Sequence, residues 1–561
     1  MKADEFRVRS LARWVALKRE RSTWMSHYQD LSRHILPRSG RFAVTDVNQG
    51  TKKHNSILDS TGTRALRTQS AGLLGGASSP ARPWFRLNTP DHELNKDSEV
   101  KKWLADCSRI MLAIFAKSNT YRALHSMYDE IGCFGTASSI LVPDFDNVIH
   151  HHTLTAGDYC MAANWKGEID TLYREFRKPV GALVKEFGYN ACTPATRNKY
   201  DAGFLDEWVD VIHLIEPRAD RDIRKQDSAN MPWRSCYFEL AADQGAYLRE
   251  GGFKKFPVLA PRWMAQGGDV YGSSPGMDAL GDVKQLQHQQ LRKAQAIDFM
   301  TSPPLQVPLS MADKEVNRLP GGITYGDTNG GKITSLYDVR LDLSHMTEDI
   351  RDVRERIRQA FSADLFAMLS QRTNQMTATE VAELHEEKLL MLGPVLDRLH
   401  TELFEPLIDS TFEYMVAARL VPTPPPAMQS MTLNVEFVSM LAQAQRAIAT
   451  NSIDRFVHNI GTVAAFKPDV LDKFDGDAWV DAYSDMLGVD PEMIVANPQV
   501  ALVRSQRQQA QASAAKTAQM EQAASAAQKI GSVPTQGGSS NMAVDMLNQF
   551  SGYNSPSGVG V

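Results

Sequence analysis

The chain has 561 residues, 43% hydrophobic and 23% charged, with 61 Lys and Arg against 66 Asp and Glu for a formal net charge of −5. That length exceeds one ordinary core and implies several domains or one elongated multi-part subunit. No apolar run approaches the roughly 18 residues of a bilayer span, and a sequence pI near 6.3 argues against a surface that wraps DNA through many phosphate contacts.

The N-terminal stretch MKADEFRVRSLARWVALKRERSTW is charged throughout and lacks the apolar centre of a secretory signal, so a cytoplasmic chain is expected. The cysteines Cys107, Cys133, Cys160, Cys192 and Cys236 lie far apart with no CxxC pair, which predicts reduced, buried thiols. To about Leu36 the period is helical: Phe6, Leu11, Trp14, Val15, Trp24, Tyr28, Leu31 and Ile35 recur near helical spacing, basic residues fill the other face, and Pro37 stops the run. Thr61 to Gly75 is a small-residue helix followed by the breaker-rich SSPARPWFRL. Glu99 to Phe115 and Thr120 to Ile131 read as helices. Ser138 to Val142 and the stretches around Tyr159, Thr171 to Phe176 and Val209 to Ile215 read as strands. The N-terminal half is therefore mixed α and β.

From Met277 to Met300 runs a Gln-rich helix of about six turns, ended by Pro303 and Pro304. Short β-prone pieces and glycine pairs fill Leu305 to Asp338. Leu343 to Phe361 is helical again, with Met346, Ile350, Val353, Ile357 and Phe361 forming one apolar stripe. Thr377 to Glu380 (TATE) has the capping-box form and starts a long helix through Val381, Leu384, Leu392, Val395, Leu396, Leu399 and Leu403, with a bend at Pro394. VPTPPP at Val421 to Pro426 is a linker, Thr432 to Val438 alternates as a strand does, and helices follow to about Met493. Asn497 to Lys529 is Ala/Gln/Ser-rich helix material with little to bury, and the Gly/Ser/Asn-rich end is expected to be disordered.

Gly326 to Ile333 (GDTNGGKI) falls one residue short of the phosphate-loop consensus. Ile333 has no hydroxyl for magnesium, and the flanks LPGGITY and KITSLYDV are β-prone where a buried strand and a helix are needed. Asn329-Gly330 marks a hairpin turn instead. His150 to His152 alternate faces if extended, which favours a solvated or hydrogen-bonded strand over a metal chelate. DKFDGD at Asp472 to Asp477 lacks calcium-loop spacing and reads as a turn and helix cap before Trp479. No GxSxG, HExxH or kinase set is present. No catalytic residues, cofactor or metal are expected.

Three stretches are together specific: YGSSPGMDALGDVKQLQ at Tyr271 to Gln287, MTATEVAELHEEKLLMLGPVLDRL at Met376 to Leu399, and DSTGTRALRTQSAGLLGGASSPARPWFRL at Asp59 to Leu87. They closely resemble the head-to-tail connector, or portal, proteins of short-tailed bacteriophages, in order over roughly Ser10 to Val500. The resemblance implies an α+β, mainly helical portal fold assembling as a dodecameric ring around an axial channel at one capsid vertex, built in the host cytoplasm. Terminase drives DNA in through that channel, and DNA later leaves through it. The implied layout is a wing at 1–277, a first stem helix at 278–300, a clip at 301–342 and a second stem helix at 343–362. A channel loop follows at 363–376, then a long wing helix and linker at 377–430, a crown at 431–496, a helical barrel or extended crown helix at 497–530, and the tail at 531–561. Implied partners are further copies of the chain, double-stranded DNA held transiently, the terminase large subunit, major capsid and scaffolding proteins, and tail adaptor or nozzle proteins; no membrane is involved. Another ring-forming head-tail adaptor or tail component is the competing assignment.

On the second stem helix Arg351, Arg354 and Arg358 flank the apolar stripe, while Glu348, Asp352 and Glu355 take the opposite face. Either the basic flank couples neighbours and the acidic face turns to the lumen, as unlike faces meet in a closed ring, or the helix is simply a solvated, charge-mixed one. Gln371, Arg372, Asn374 and Gln375 in the channel loop can touch a DNA backbone in passing, unless the loop is buried between subunits. In the clip, Asp313, Lys314, Glu315 and Arg318 beside Pro and Gly punctuation, together with Lys332, are candidates for terminase or adaptor contact; the first four could equally form a short helix facing their own neighbours.

Overall fold

Phe6, Trp14 and Leu17 recur on one side of helix α1 (Ala3–His34) and bury against an antiparallel sheet, with Trp14 stacked on Tyr173. The sheet has five strands in the order β4 (Tyr159–Ala163), β5 (Ile169–Pro179), β6 (Trp208–Pro217), β7 (Trp233–Glu239) and β8 (Arg249–Phe253). Val15 of the expected apolar set is instead 63% exposed, while Arg7 and Arg21 from the basic set are buried. They are buried because each guanidinium donates to backbone carbonyls of the sheet or its edge turn, Arg7 to Glu239 O at 3.0 Å and Arg21 to Tyr159 O and, just before β4, to Gly157 O at 2.7 Å.

This is a computed structural model that describes residues 3–46, 50, 55–91, 94, 97–225, 227–241, 247–302, 304–309, 313, 316, 333–335, 344–370, 392–428, 434–437, 456–464, 466–487, 495 and 497–531. The chain divides into two units, Met1–Trp479 and Val480–Val561.

In the first unit α1 is followed by α2 (Thr61–Ala77), β1 (Phe85–Asn88), α3 (Ser98–Lys117) and α4 (Thr120–Phe134). Asp97 caps α3 by accepting from Glu99 N at 3.0 Å. A three-stranded antiparallel sheet, in the order β3 (Val148–Leu154), β2 (Ser138–Asp144), β9 (Val258–Leu259), packs Ile140, Leu154 and Val258 against Leu172 and Ile215 of the larger sheet. Helices α5 (Val180–Phe187) and α6 (Pro194–Asp201) form an excursion between β5 and β6. All four strands expected in this half are present, and all five cysteines are buried and free. Burial in apolar surroundings pushes the Cys107 thiol up to about 12.

The long helices α7 (Pro275–Thr301) and α8 (Ser344–Ala360) come next, then α9 (Ala363–Ser370). Between α7 and α8 the described ladder pairs β10 (Leu305–Gln306) with β11 (Thr334–Ser335). Residues 392–399 are helical and run into a π-turn, His400–Phe404, and α10 (Glu405–Ala417). Pro406 explains the turn: its ring would clash with the carbonyl of Glu402, and Glu405 N–H accordingly reaches back to His400 O. β12 (Asn434–Phe437) pairs with β1, and Phe437 stacks on His400 at 4.0 Å. The strand assigned to the start of the crown is thus knitted into the N-terminal core. The first turn of α11 (Gly476–Leu487) ends this unit and begins with the expected cap, Asp475 accepting from Asp477 N and Ala478 N.

In the second unit α12 (Asn497–Gly531) exposes every residue from Ala501 to Gln522. Among the described residues no helix is long and apolar enough to cross a membrane. The TATE box, the turn at Asn329-Gly330 and the tail from residue 532 lie outside the described residues.

Candidate functional site

The site is built on α7 and α8. Ser274 caps α7, accepting from Met277 N at 3.1 Å and donating to Cys133 O at 2.7 Å, which anchors the helix to the end of α4. The helices run antiparallel: Asp282 pairs with Arg356 at 3.2 Å near one end, and Gln289 bonds Asp349 further along. Ala279, Leu280, Val283 and Leu286 of α7 share one buried cluster with Ile350, Val353, Ile357 and Phe361, so the apolar stripe read from the sequence is the packing seam. Beyond Gln287 the seam ends on α7. Leu291, Ile297, Phe299 and Met300 are 42–53% exposed on a helix that continues for over three turns past its own core.

Asp59 ties this pair to the body. Its Oδ2 accepts from Arg354 Nη2 at 2.7 Å and Nε at 3.0 Å and from Gln290 Nε2 at 3.0 Å. Oδ1 accepts from Thr61 N at 2.9 Å and Thr61 Oγ1 at 2.6 Å, at the start of α2. Gln287 completes the clamp, accepting from Leu58 N and Asp59 N and donating to Asp59 O at 2.8 Å. Burial by itself would raise the Asp59 carboxyl, but hydrogen bonds from Thr61 and Arg354 together hold it below the ordinary range. One carboxylate therefore joins α2, α7 and α8.

Arg354, expected with Arg351 and Arg358 to couple subunits, pairs through Nε and Nη2 with Asp59 of its own chain and stays 42% exposed. Arg351 and Arg358 are exposed, Arg358 only loosely near Glu355 at 3.8 Å. Of the acidic set, Glu348 is exposed with His345 at 3.9 Å, Asp352 is exposed and holds Arg356 at 2.8 Å, and Glu355 is exposed.

Of the stretch expected as the channel loop at 363–376, residues 363–370 are described. Ser362, at φ +50°, breaks the helix, and the chain then forms α9, whose Leu365 and Phe366 are buried. Phe366 lies so close over Gly72 of α2 that a Cβ there would collide with its ring, which accounts for the glycine in GLLGG. Gln371, Arg372, Asn374 and Gln375 lie outside the described residues, as do Lys314, Glu315, Arg318 and Lys332; Asp313 is exposed.

Two histidine arrangements resemble catalytic ones and are not. Arg174 Nε donates to His213 Nδ1 at 3.1 Å, so the ring proton sits on Nε2 and is donated to Ser235 Oγ at 3.0 Å; such a ring cannot accept the serine proton. His151 is buried on β3 with Thr120 and Ser139 hydroxyls at its ring nitrogens, and burial followed by the His150 and His152 charges drives its pKa down to about 3. His150 and His152 lie on the other face with rings 4.8 Å apart, as strand alternation requires. Among the described residues no three His, Cys, Asp or Glu side chains converge as a metal set would.

Residues 7–495 match the family model for the bacteriophage head to tail connecting protein. The chain belongs to that family. It is 58% identical over 547 residues to a probable portal protein of Bordetella phage BPP-1, covering 97% of this chain and 98% of that one. It is 43% identical over 526 residues to the portal protein of Salmonella phage epsilon15, covering 93% and 94%. Solved structures similar to it include the neck of an empty gene transfer agent particle, with TM-score 0.35 and 12% identity over 75% of this chain and 92% of that one. The virion of a native gene transfer agent particle matches with TM-score 0.32 and 11% identity, over 75% and 99%.

As a portal protein the chain is a virion component of the head-tail connection, and its helix pair and Asp59 clamp gain a setting. The Asp59 contacts were missed in the sequence reading because its partners are up to 295 positions away. The available signal was local: Asp-Ser-Thr ahead of a helical run is a capping pattern.

Proposed function

We propose that the chain is the repeating subunit of a dodecameric portal ring at one capsid vertex, a non-enzymatic conduit for genome entry and exit. Near full-length identity to two phage portal proteins carries the reading. The terminase large subunit supplies the energy for packaging, tail adaptor or nozzle proteins replace it afterwards, and major capsid and scaffolding proteins hold the rim. Assembly takes place in the host cytoplasm.

In this reading α7 and α8 form the stem. Their exposed apolar residues, Leu291, Ile297, Phe299 and Met300, meet the adjacent subunit, and Arg351 and Arg358 face that neighbour's unlike surface. Glu348, Asp352 and Glu355 turn to the lumen, where an acidic wall keeps the duplex from being gripped: every phosphate neutralised by Lys or Arg adds affinity that must be broken at each step. Gln371, Arg372, Asn374 and Gln375 touch the DNA backbone transiently. Asp313, Lys314, Glu315, Arg318 and Lys332 serve the clip's successive partners. The exposed α12, 35 residues long, extends the crown as one stave of a helical barrel.

A phage deprived of the chain tests the role. Capsids should assemble but remain empty of DNA; DNA-filled heads without it would refute the proposal.

A further inference from the structure

We propose that the cavity of about 280 Å³ between β3 and β5 is a binding site for a small tetrahedral oxyanion of the phosphate class. The site lies inside the first unit, closed on one side by the connection after α1 that carries Arg41.

Strand alternation decides which charges face it. On β5, Tyr173 and Glu175 turn toward α1, where Glu175 is held by Lys18 at 3.0 Å, so the Glu175 carboxylate is spent on the opposite face. Arg174 turns the other way, into the cavity, together with Phe176. Its Nε is used on His213, the Tyr237 side chain is a second hydrogen-bond partner, and its guanidinium lies 4.7 Å from the Phe176 ring; among the described residues no carboxylate comes within ion-pair distance of it. A half-buried guanidinium whose only facing carboxylate, Asp158, lies beyond ion-pair distance is short of negative charge, which an added anion would supply. Burial accordingly pushes Arg174 below the usual arginine range.

Arg41 supplies the second cation. Its Nη1 reaches Asp158 Oδ2 at 3.3 Å, a long contact that leaves the rest of the guanidinium fork free for a planar or tetrahedral oxyanion. With the Glu175 carboxylate held by Lys18, the lining sets two guanidinium groups against the carboxylate of Asp158, with His152 as a further donor. The volume suits one oxyanion with its hydration and is too small to admit a duplex.

Isothermal titration of the full-length chain with inorganic phosphate tests this, ionic strength being held constant with chloride. One saturable site per chain is expected, weakened about tenfold or more by Arg174→Gln and by Arg41→Gln. Arg41 is 42% exposed at its side chain, so its variant stays informative if Arg174→Gln fails to fold. Heats no larger than those of chloride, or equal heats in Arg41→Gln, would overturn the proposal. A DNA duplex at equal phosphate concentration is the second arm: duplex binding that Arg41→Gln abolishes would assign the cations to nucleic acid and overturn the free-anion site.

Discussion

Replacing Asp59 by alanine should loosen the two long helices from the body without touching their mutual seam. The side chain is 8% exposed and accepts from Arg354, Gln290 and Thr61. Arg354, its charged partner, is 42% exposed, so solvent screening discounts the ionic part of the loss. Removing the charge-assisted bonds and the polar contact at the start of α2 together costs about 3 kcal/mol. Asp59→Asn, which keeps one acceptor, costs about half that. Urea unfolding followed by far-UV circular dichroism reads the change. The Asp59 carboxyl is held below its ordinary value, so its contribution is complete above about pH 4 and disappears as pH falls through the lowered value. A loss under about 0.5 kcal/mol in Asp59→Ala, the size of an ordinary surface substitution, would refute the clamp. Exchange of charges sharpens the result: Arg354→Glu should destabilise the folded chain, and the pair Asp59→Arg with Arg354→Glu should recover part of the loss, as a contact within one subunit requires.

Glu130 predicts a different pH response. Burial pushes its carboxyl from 4.5 up to about 7 even though Thr155 Oγ1 and Ala156 N donate to it. Because the unfolded chain ionises first, stability should fall by up to ~3 kcal/mol as pH rises from 4.5 to 7, and Glu130→Gln should flatten that slope in unfolding measured across the same window. Gly72→Ala should drive Phe366 off α2 and cost about 2 kcal/mol, read as a lowered unfolding midpoint. Joint reversal of Arg351 and Arg358 to Glu should leave the unfolding free energy within about 0.5 kcal/mol of the parent while weakening ring assembly in native mass spectra; unchanged assembly would remove both from the subunit contact.

Much of the scaffold was legible because its signals are local. The stripe through Ile350, Val353 and Ile357 is a helix seam because its spacing can be nothing else, and the alternation of Thr171 to Phe176 marks a strand. Asp475 was readable as a cap for the same reason. Contacts that need a distant partner were not legible. Arg354 looks identical to Arg351 and Arg358 on a helical wheel, and only the folded chain brings Asp59 beside it. α9 was taken for loop although Ile357, Phe361 and Leu365 continue the four-residue spacing across Ser362; the groove at Gly72 that receives Phe366 could not be seen from that segment alone. β8, with two glycines in Arg249–Phe253, has no strand signal of its own and exists because β7 offers it an edge.

The proposal that copies of this chain close into a ring around a conduit is the central one. Electron microscopy of the purified full-length chain, in top and side views, tests it most directly. The account predicts a closed ring with a central hole and a narrow stalk formed by α7 and α8. Particles that remain single subunits, or that assemble without an axial opening, would contradict it.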